Sequence, residues 1–442
     1  MSAQEWLGRV AKVLGDQDFS TLRSVTPEGL TLEPLYPVPP EAASRAVRAQ
    51  PDRPFAIVQR IDDPLPDSAA RQAAEDLQGG ADILTLCLEG SDGAHGFGVR
   101  TGDMAAVLRG IDLDRQRLRI EPAPGAVPEM LEGLAAHLSA ARLPAALSTI
   151  SIAADPARLS TAEMGALLAS GLPGTLVTAS GCPHHDRGAD GALELAAVLS
   201  SAVAGLRAMD AAGLSPEAAR ERLALELSAD ADLFLTISKF RAARLLWADI
   251  ALAIGMDAEP VELWAQTSFR MQARKDAATN MLRNALAGFG SAIGGADRLT
   301  ILPHTLALGL PDAFARRIAR NQSVILIEES HVCAVADPAA GAGAFEAMTA
   351  QLADRAWSLF QDIEAEGGIR AMVSDGRWAE RLAQAHAQRQ AQIAAGAKAI
   401  LGVTLYPDAS ERGAPLARPR EPGTDPLMAL RDAAPFEEQD PV

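Results

Sequence analysis

Short apolar runs alternate with longer amphipathic segments from about residue 54 to residue 366. The apolar runs have the length of buried strands and predict β-strands at residues 55–60, 83–88, 117–121, 148–153, 175–180, 233–238, 300–303 and 323–327. The amphipathic segments predict helices at residues 67–79, 127–140, 192–211, 216–227, 242–253, 275–288 and 345–366. This alternation is typical of parallel βα units, and eight of them predict a closed (β/α)8 TIM barrel.

The two ends of the chain differ from this alternating middle. Residues 1–50 predict an amphipathic helix and an extended arm that is rich in proline near residues 36–40. Residues 51–400 form the predicted barrel, and residues 401–442 predict a linker-like tail rich in Pro, Arg, Glu and Asp. Since no distinct strand lies between residues 88 and 117, an open doubly wound sheet stays as an alternative to the closed barrel.

One stretch, residues 317–346, combines three predicted features. An arginine-rich helix end is followed by the apolar run 323–327, which predicts a buried strand, and then by a glycine-rich loop. Glu328 and Glu329 then lie at the carboxyl end of the predicted strand. In barrels of this type functional groups gather at the carboxyl ends of strands, so the stretch is predicted to lie near a functional site.

The amino-acid composition of the chain argues against two classes of binding partner. The chain has 442 residues, of which 48% are hydrophobic, enough for one large core. Its net charge of −17 argues against nucleic acid and against anionic membranes, because both attract basic surfaces. An anionic ligand would need a local basic patch on this acidic chain.

The pattern of cysteines and the composition of the first twenty residues indicate the cellular compartment of the protein. Three cysteines without a CxxC pair exclude a disulfide scaffold and a cysteine-rich zinc site. The first twenty residues carry Glu5, Asp16 and Asp18 and no apolar core, unlike targeting segments, and the apolar stretches break off short of a membrane span. We therefore expect a cytoplasmic protein with no membrane contact.

Several segments resemble one enzyme family. They read EGLTLEPLY at residues 28–36, SKFRAARLLWA at 238–248, QTS at 266–268 with Phe269 after it, HTLALGLPDAFARRIARN at 304–321 and LADRAWSLFQDIEAEGGI at 352–369. The stretch 317–346 and the tail segment 427–434 add to the likeness. The chain is similar to the coenzyme-B12-dependent acyl-CoA mutases, whose best-known member is methylmalonyl-CoA mutase. The resemblance implies a TIM barrel whose bore is threaded by the pantetheine arm of CoA.

The predicted strands carry small hydroxyl residues that bear on such a bore. They are Ser148, Thr149, Ser151, Thr175, Thr178, Ser180, Thr236 and Ser238. Facing inward, they would leave a hydrated bore instead of the bulky filling of ordinary barrels. The alternative is that they face the helices or lie at strand ends.

The cobalamin signature of the resembled family is missing. None of the seven histidines stands in a DxHxxG motif, and the sequence stops where the family's cobalamin domain would begin. The resemblance therefore implies a barrel without a cobalamin-binding domain. We expect adenosylcobalamin to be held by a partner chain and not by this chain alone.

The catalytic segment of the resembled family is also altered. Active members read SGYHMQEAGA after a barrel strand, whereas residues 180–189 read SGCPHHDRGA. Cys182 then takes the place of the radical-site tyrosine and Pro183 that of the histidine, and proline has no donor for a carbonyl. His184 or His185 could substitute through a one-residue shift. Alternatively, these histidines only cap the helix that begins near residue 192, and a metal role is disfavoured because adjacent histidines diverge.

Four residues are candidates for substrate contact. Lys239 and Arg241 follow the predicted strand 233–238 and suit CoA phosphates or an acyl carboxylate. Gln266 and Thr267 match the substrate-side element of the resembled family. The alternative for the two cations is a solvated helix start with ion pairs.

Together these features predict a small, β-type subunit of a heteromeric acyl-CoA mutase, mainly structural, with a large subunit that carries the cobalamin domain. A substrate-binding subunit of a split mutase is one alternative. A diverged CoA-ester-binding protein that works without cobalamin is the other.

Overall fold

The computed structural model describes residues 2–26, 28–37, 48–257, 259–408, 413–421 and 423–437. Eight parallel strands form its centre: β1 (Ala56–Ile61), β2 (Ile83–Cys87), β3 (Arg117–Glu121), β4 (Ile150–Ile152), β5 (Val177–Ser180), β6 (Leu223–Ala229), β7 (Glu262–Thr267) and β8 (Arg298–Thr300). Each strand pairs with its neighbours in the chain except that β4 and β5 are the two edges of the sheet, and β8 pairs with β1. A bridge between Ala154 and Val177 joins the edge strands β4 and β5, with Ile152 N donating to Thr175 O at 2.8 Å. The sheet is therefore a (β/α)8 barrel, and the prediction of this fold is confirmed.

Helices surround the barrel. Those of the described residues are α1 (Ala3–Leu14), α2 (Pro66–Gln78), α3 (Met104–Leu108), α4 (Val127–Ala140), α5 (Thr161–Ala169), α6 (Cys182–Asp186), α7 (Gly191–Ala211), α8 (Pro216–Glu221), α9 (Leu233–Ala253), α10 (Asn280–Gly294), α11 (Ala313–Glu328), α12 (Gly343–Ala365), α13 (Gly368–Ser374), α14 (Arg377–Ala394) and α15 (Ala434–Glu437). The main hydrophobic core lies between this ring and the outer face of the sheet.

Two predicted strands are wrong. Residues 323–327 are the last turns of α11, whose buried positions follow helical spacing at Arg316, Ala319, Arg320, Ser323 and Leu326. The acidic pair after them therefore ends a helix and not a strand. The prediction failed because a short apolar run does not distinguish a strand from a buried helix segment.

The second wrong strand, 233–238, is the start of α9. Asp232 caps this helix by accepting a hydrogen bond from Leu235 N at 3.1 Å. The two barrel strands that the sequence did not predict are β6 and β7. All seven residues of β6 are buried, and its first five had been included in the predicted helix 216–227.

The N-terminal segment extends beyond the barrel. α1 has no buried residue, and a two-stranded hairpin (Ser24–Val25 with Thr31–Leu32) follows it. Thr31 N donates to Gln351 Oε1 of α12 at 3.2 Å, which attaches the hairpin to the barrel. Residues 38–40 of the predicted arm lie outside the described residues. The division into 1–50, 51–400 and 401–442 stays a prediction.

The tail returns to the carboxyl end of the barrel. Its strand Leu416–Pro419 pairs antiparallel with Gly309–Pro311, which follows β8. Leu427 is buried against Phe269 and Leu302 at the ends of β7 and β8. The described part of the tail therefore covers the barrel mouth.

One described helix, α7, is long and apolar enough to cross a membrane, so the expectation that every apolar stretch is too short was wrong for it. However, 78% of its apolar window is buried inside the protein, where it packs against β5 and β6. A core helix of a barrel meets the same criterion.

Candidate functional site

The bore of the barrel is filled in its middle. Arg119 of β3 donates to Glu226 Oε1 of β6 at 2.6 Å, and its guanidinium carbon lies 4.3 Å from the ring centre of Trp264 on β7. Trp264 packs against Val58 and Ile83 from the opposite strands. A charged pair and an aromatic ring thus occupy the axis, so this bore has no open hydrated channel.

A second polar group lies at the carboxyl end of the bore. Arg60 of β1 donates to Gln266 Oε1 at 3.4 Å and pairs with Asp62 at 3.4 Å. Glu121 of β3 accepts a hydrogen bond from Gly93 N at 2.7 Å. Burial raises the pKa of Glu121, although Arg60 acts against this effect.

The pKa of Glu226 shifts in the opposite direction to that of Glu121. Burial alone would raise its pKa, but the Arg119 guanidinium, the hydrogen bond from Ser180 and the charge of Arg60 together lower it. Ser180 Oγ also donates to its second oxygen at 2.8 Å. The pair is therefore ionised and held between three strands.

Two cavities lie at the ends of the blocked bore. The one at the carboxyl end measures about 50 Å³ and is lined by Arg119, Glu121, Pro183 and Glu226 among others. The one at the amino end measures about 470 Å³ and reaches Trp264. Thus the end where barrels usually hold their substrates has room for little more than water.

The segment predicted as a degenerate catalytic site forms α6 at the carboxyl end of the barrel. Cys182 is buried at its first turn, and Pro183 borders the small carboxyl-end cavity. His184 Nδ1 accepts a hydrogen bond from Trp378 Nε1 of α14 at 3.0 Å. His184 therefore attaches α14 to the barrel.

His185 belongs to a charged network outside the bore. Its Nε2 lies 2.8 Å from Ser268 Oγ, and its Nδ1 lies 3.3 Å from Glu194 Oε2. This is the spacing of a Ser-His-acid triad. Burial and the neighbouring Arg270 lower the pKa of His185 to about 3, so it is a poor base at neutral pH. Ser268 is only 1% exposed, and the arrangement is structural.

The predicted substrate contacts divide between two places. Gln266 faces the bore beside Arg60, whereas Thr267 Oγ1 accepts a hydrogen bond from Leu302 N at 2.8 Å. Lys239 is buried and pairs with Glu194, so it joins the His185 network. Arg241 is buried between the helices and pairs with Asp337 and with Glu346, the latter at 2.8 Å. The structure brings only Gln266 to the bore, and the substrate roles of all four stay predictions.

Sequence reasoning missed the residues that fill the bore. Arg60, Arg119, Glu121, Glu226 and Trp264 were not singled out. A usable signal exists, because charged residues alternate with Leu and Ile inside short apolar strands such as RLRIE at 117–121. Such positions face the interior when a barrel closes.

Neither a metal nor cobalamin fits the described residues. They contain no group of three His, Cys, Asp or Glu side chains that could hold a metal ion. Two histidines at the mouth are enclosed by the protein: His184 is buried against Trp378, and His95 is buried and stacked on Phe269 with ring centres 4.2 Å apart. A cobalamin ligand needs an accessible imidazole, and neither of these two rings offers one.

Four buried groups around α6 titrate abnormally. Burial raises the pKa of Asp155 to about 6 and that of Asp186 to about 7. Burial also lowers the pKa of His184 to about 4 and that of His185 to about 3. Between pH 7 and 4 the folded chain takes up protons on the two aspartates, while the unfolded chain takes them up on the two histidines. The two effects on stability have opposite sign and offset each other.

Asp186→Asn is expected to make the fold more sensitive to acid. In the folded state Asp186 takes up one proton as the pH falls from 7 to 4, and asparagine cannot. The free energy of unfolding should therefore fall more steeply with decreasing pH in the variant, by up to about 1.4 kcal/mol per pH unit. Asparagine can still accept the hydrogen bond from Arg270 N that Asp186 accepts at 3.2 Å. Urea unfolding at pH 7, 6 and 5 measures the slope. Parallel pH profiles for the variant and the unchanged chain would contradict the expectation.

Comparison with known proteins agrees with this architecture. A family model described as methylmalonyl-CoA mutase matches residues 148–422. The methylmalonyl-CoA mutase small subunit of Streptomyces virginiae is 42% identical over 281 residues, 63% of this chain and 45% of the relative. That of Propionibacterium freudenreichii subsp. shermanii is 35% identical over 259 residues, 58% of this chain and 41% of the relative. The chain spans about half the length of the curated relatives it matches.

Proposed function

Because the chain belongs to the methylmalonyl-CoA mutase family, we propose that it is the small subunit of a coenzyme-B12-dependent methylmalonyl-CoA mutase. In the proposed complex, a large subunit holds adenosylcobalamin and interconverts methylmalonyl-CoA and succinyl-CoA. The present chain is mainly structural there. The small-subunit names of its relatives support the existence of such a partner.

The filled bore is the observation that carries this proposal. Trp264 and the Arg119–Glu226 pair lie on the axis, where a threaded substrate would have to pass. Displacing them would leave a buried carboxylate or guanidinium without its partner, which costs several kcal/mol. A barrel that binds a long substrate along its axis gains nothing from such a pair.

The residues beside the bore also support a non-catalytic role. Pro183 borders the small polar cavity at the carboxyl end of the bore and has no side-chain donor for a thioester carbonyl. Of the two histidines that follow it, His184 accepts a hydrogen bond from Trp378, and His185 lies in the Glu194 network. Both imidazoles are buried, so neither reaches a substrate at this mouth.

The function is tested with the chain alone and with its proposed partner. The pure chain should leave the visible spectrum of adenosylcobalamin unchanged and should not turn over methylmalonyl-CoA, because the described histidines at its barrel mouth are buried and its bore is filled. Mixed with the large subunit, it should co-elute as a complex with mutase activity. A base-off, histidine-ligated spectrum of the pure chain, or turnover that is lost in His184→Ala or His185→Ala, would favour the split-mutase alternative instead.

A second candidate function is suggested by the cavity at the amino end of the barrel. It is lined by four arginines, Arg48, Arg117, Arg220 and Arg298, within an acidic chain. Guanidinium groups suit phosphate oxygens, so a CoA ester could bind there without entering the bore. Calorimetric titration of the pure chain with CoA separates the two functions: binding that is lost in Arg117→Ala favours a CoA-binding protein, and absence of binding favours the structural subunit.

A further inference from the structure

A glycine-rich loop closes the carboxyl end of the bore. Residues 89–98, here named the mouth loop, follow β2 and include Gly90, Gly93, Gly96 and Gly98. Gly90, Gly96 and Gly98 have φ values of 81°, 79° and 104°, and His95 adopts a φ of 47°. Such a backbone favours glycine, and His95 holds it at a cost. The loop is therefore shaped to enter the mouth with little side-chain bulk.

The peptide of Gly93 fills the polar site at the end of the bore. Its N–H donates to Glu121 Oε1 at 2.7 Å, and its carbonyl accepts from Arg60 Nη2. A Cβ atom at this position would collide with the Glu121 carboxylate. The main chain of the loop thus occupies the place that a ligand of these charged groups would take.

Two partly exposed ion pairs of Asp92 and a buried contact with Arg420 hold the loop in the mouth. Asp92 pairs with Arg158 and, at 2.8 Å, with Arg187, and the two arginines are 31% and 30% exposed. Arg420 of the tail donates to the carbonyl of His95 and lies 4.9 Å from the ring centre of Phe97. Ion pairs with this exposure stabilise only weakly.

The closed position leaves buried polar groups without partners. Both ring nitrogens of His95, Thr85 Oγ1, Ser91 Oγ and Arg60 Nε are buried and make no hydrogen bond. Each such group carries a desolvation penalty that water would remove if the loop moved away. The weak ion pairs of Asp92 and the unpaired polar groups both lower the free energy needed to open the mouth.

We propose that the mouth loop is a displaceable plug, which swings out of the mouth and uncovers the Arg60–Glu121 site while the barrel stays folded. The Asp92 ion pairs keep the plug closed. This inference concerns the chain by itself and does not depend on the function proposed above.

Cys87 reports the opening, because it lies beneath the loop. Its Sγ is 3.9 Å from Glu121 Oε2, and the residue is fully buried. Asp92→Asn should accelerate alkylation of Cys87 by iodoacetamide about fivefold or more, since two ion pairs are lost. Peptide mass spectrometry resolves Cys87 from the half-buried Cys333, which lies outside the mouth and should react at an unchanged rate. Asp103→Asn, which breaks the exposed pair with Arg100, is the matched control and should leave Cys87 unchanged.

Three results would overturn the proposal. Cys87 could react no faster in Asp92→Asn than in the control, or Cys87 and Cys333 could accelerate together, which would mean general loosening of the fold. A second variant, Gly93→Ala, places a Cβ atom against the Glu121 carboxylate and so breaks the hydrogen bond from Gly93 N to Glu121, whether the loop or the carboxylate moves. Hydrogen exchange should then rise at residues 89–98 and not in β1 or β3, and unchanged exchange in the loop of the folded variant would also reject the plug.

Discussion

Glu194→Gln is expected to destabilise the folded chain by about 3–5 kcal/mol, a large part of a typical domain's stability. Glu194 is fully buried and accepts hydrogen bonds from Lys239 Nζ and, at 2.7 Å, from Ser228 N. Burial opposes its ionisation, but Lys239 and His185 outweigh burial and lower its pKa to about 2. Glutamine would keep the shape and leave the Lys239 ammonium buried without a counter-charge. Urea unfolding at pH 7 gives the change in free energy.

A matched variant separates this effect from the mere loss of a carboxylate. Glu366 pairs with Arg377 at 2.7 Å, but both side chains are about 40% exposed, so Glu366→Gln should cost less than about 1 kcal/mol. Adding Lys239→Met to Glu194→Gln should recover much of the lost stability, because the unpaired ammonium is removed. Equal losses for Glu194→Gln and Glu366→Gln would show that the buried network does not hold the fold together.

Removal of residues 1–22 is expected to weaken binding of the proposed large subunit at least about 100-fold, or ~2.7 kcal/mol, without unfolding the barrel. α1 carries an apolar face with Trp6, Val10 and Leu14, yet it has no buried residue in this chain. An isolated helix of this length is marginal in water and gains stability when such a face is covered. Biolayer interferometry with the large subunit measures affinity, and thermal unfolding checks the barrel.

A pair of charge-matched variants locates the contact on the helix. Trp6→Glu with Val10→Glu places two carboxylates on the apolar face, whereas Gln4→Glu with Gly8→Glu places two at the same spacing on the opposite face. The first pair should weaken binding about as much as the deletion, and the second should leave it nearly unchanged. Equal affinity of the deleted and intact chains would mean that α1 has no role in assembly.

The elements that were predicted with the correct bounds are those in which charged and apolar residues repeat with a single spacing. The strand 117–121 and the helix 127–140 have the predicted bounds, since charged and apolar residues in them repeat with a single spacing. The runs 233–238 and 323–327 failed because their side chains suit a strand and a buried helix face equally well. β6 was missed because its alternation LALELSA adjoins a helical segment without a glycine or proline between them.

The candidate site was predictable only in part. Residues 180–189 were found through their resemblance to a catalytic segment, and the structure places them at the barrel mouth as α6 and its flanks. The bore residues were not found, because Arg119 and Glu226 are 107 positions apart and meet only after the barrel has closed. Lys239 and Arg241 looked like a ligand-binding pair, but they are two positions apart on a helix and bind acids in different places.

The sequence by itself determined the alternation of strands and helices, the family, the proline at position 183 and the lack of a DxHxxG motif, because each is a local property of the chain. Only the tertiary structure decided that Trp264 and Arg119 fill the bore, that the mouth loop covers Arg60, and that the tail lies over Phe269. The physical reason is that strand closure, and not sequence distance, selects which inward side chains meet. Whether a bore is open depends on the volumes and charges of side chains from eight strands at once.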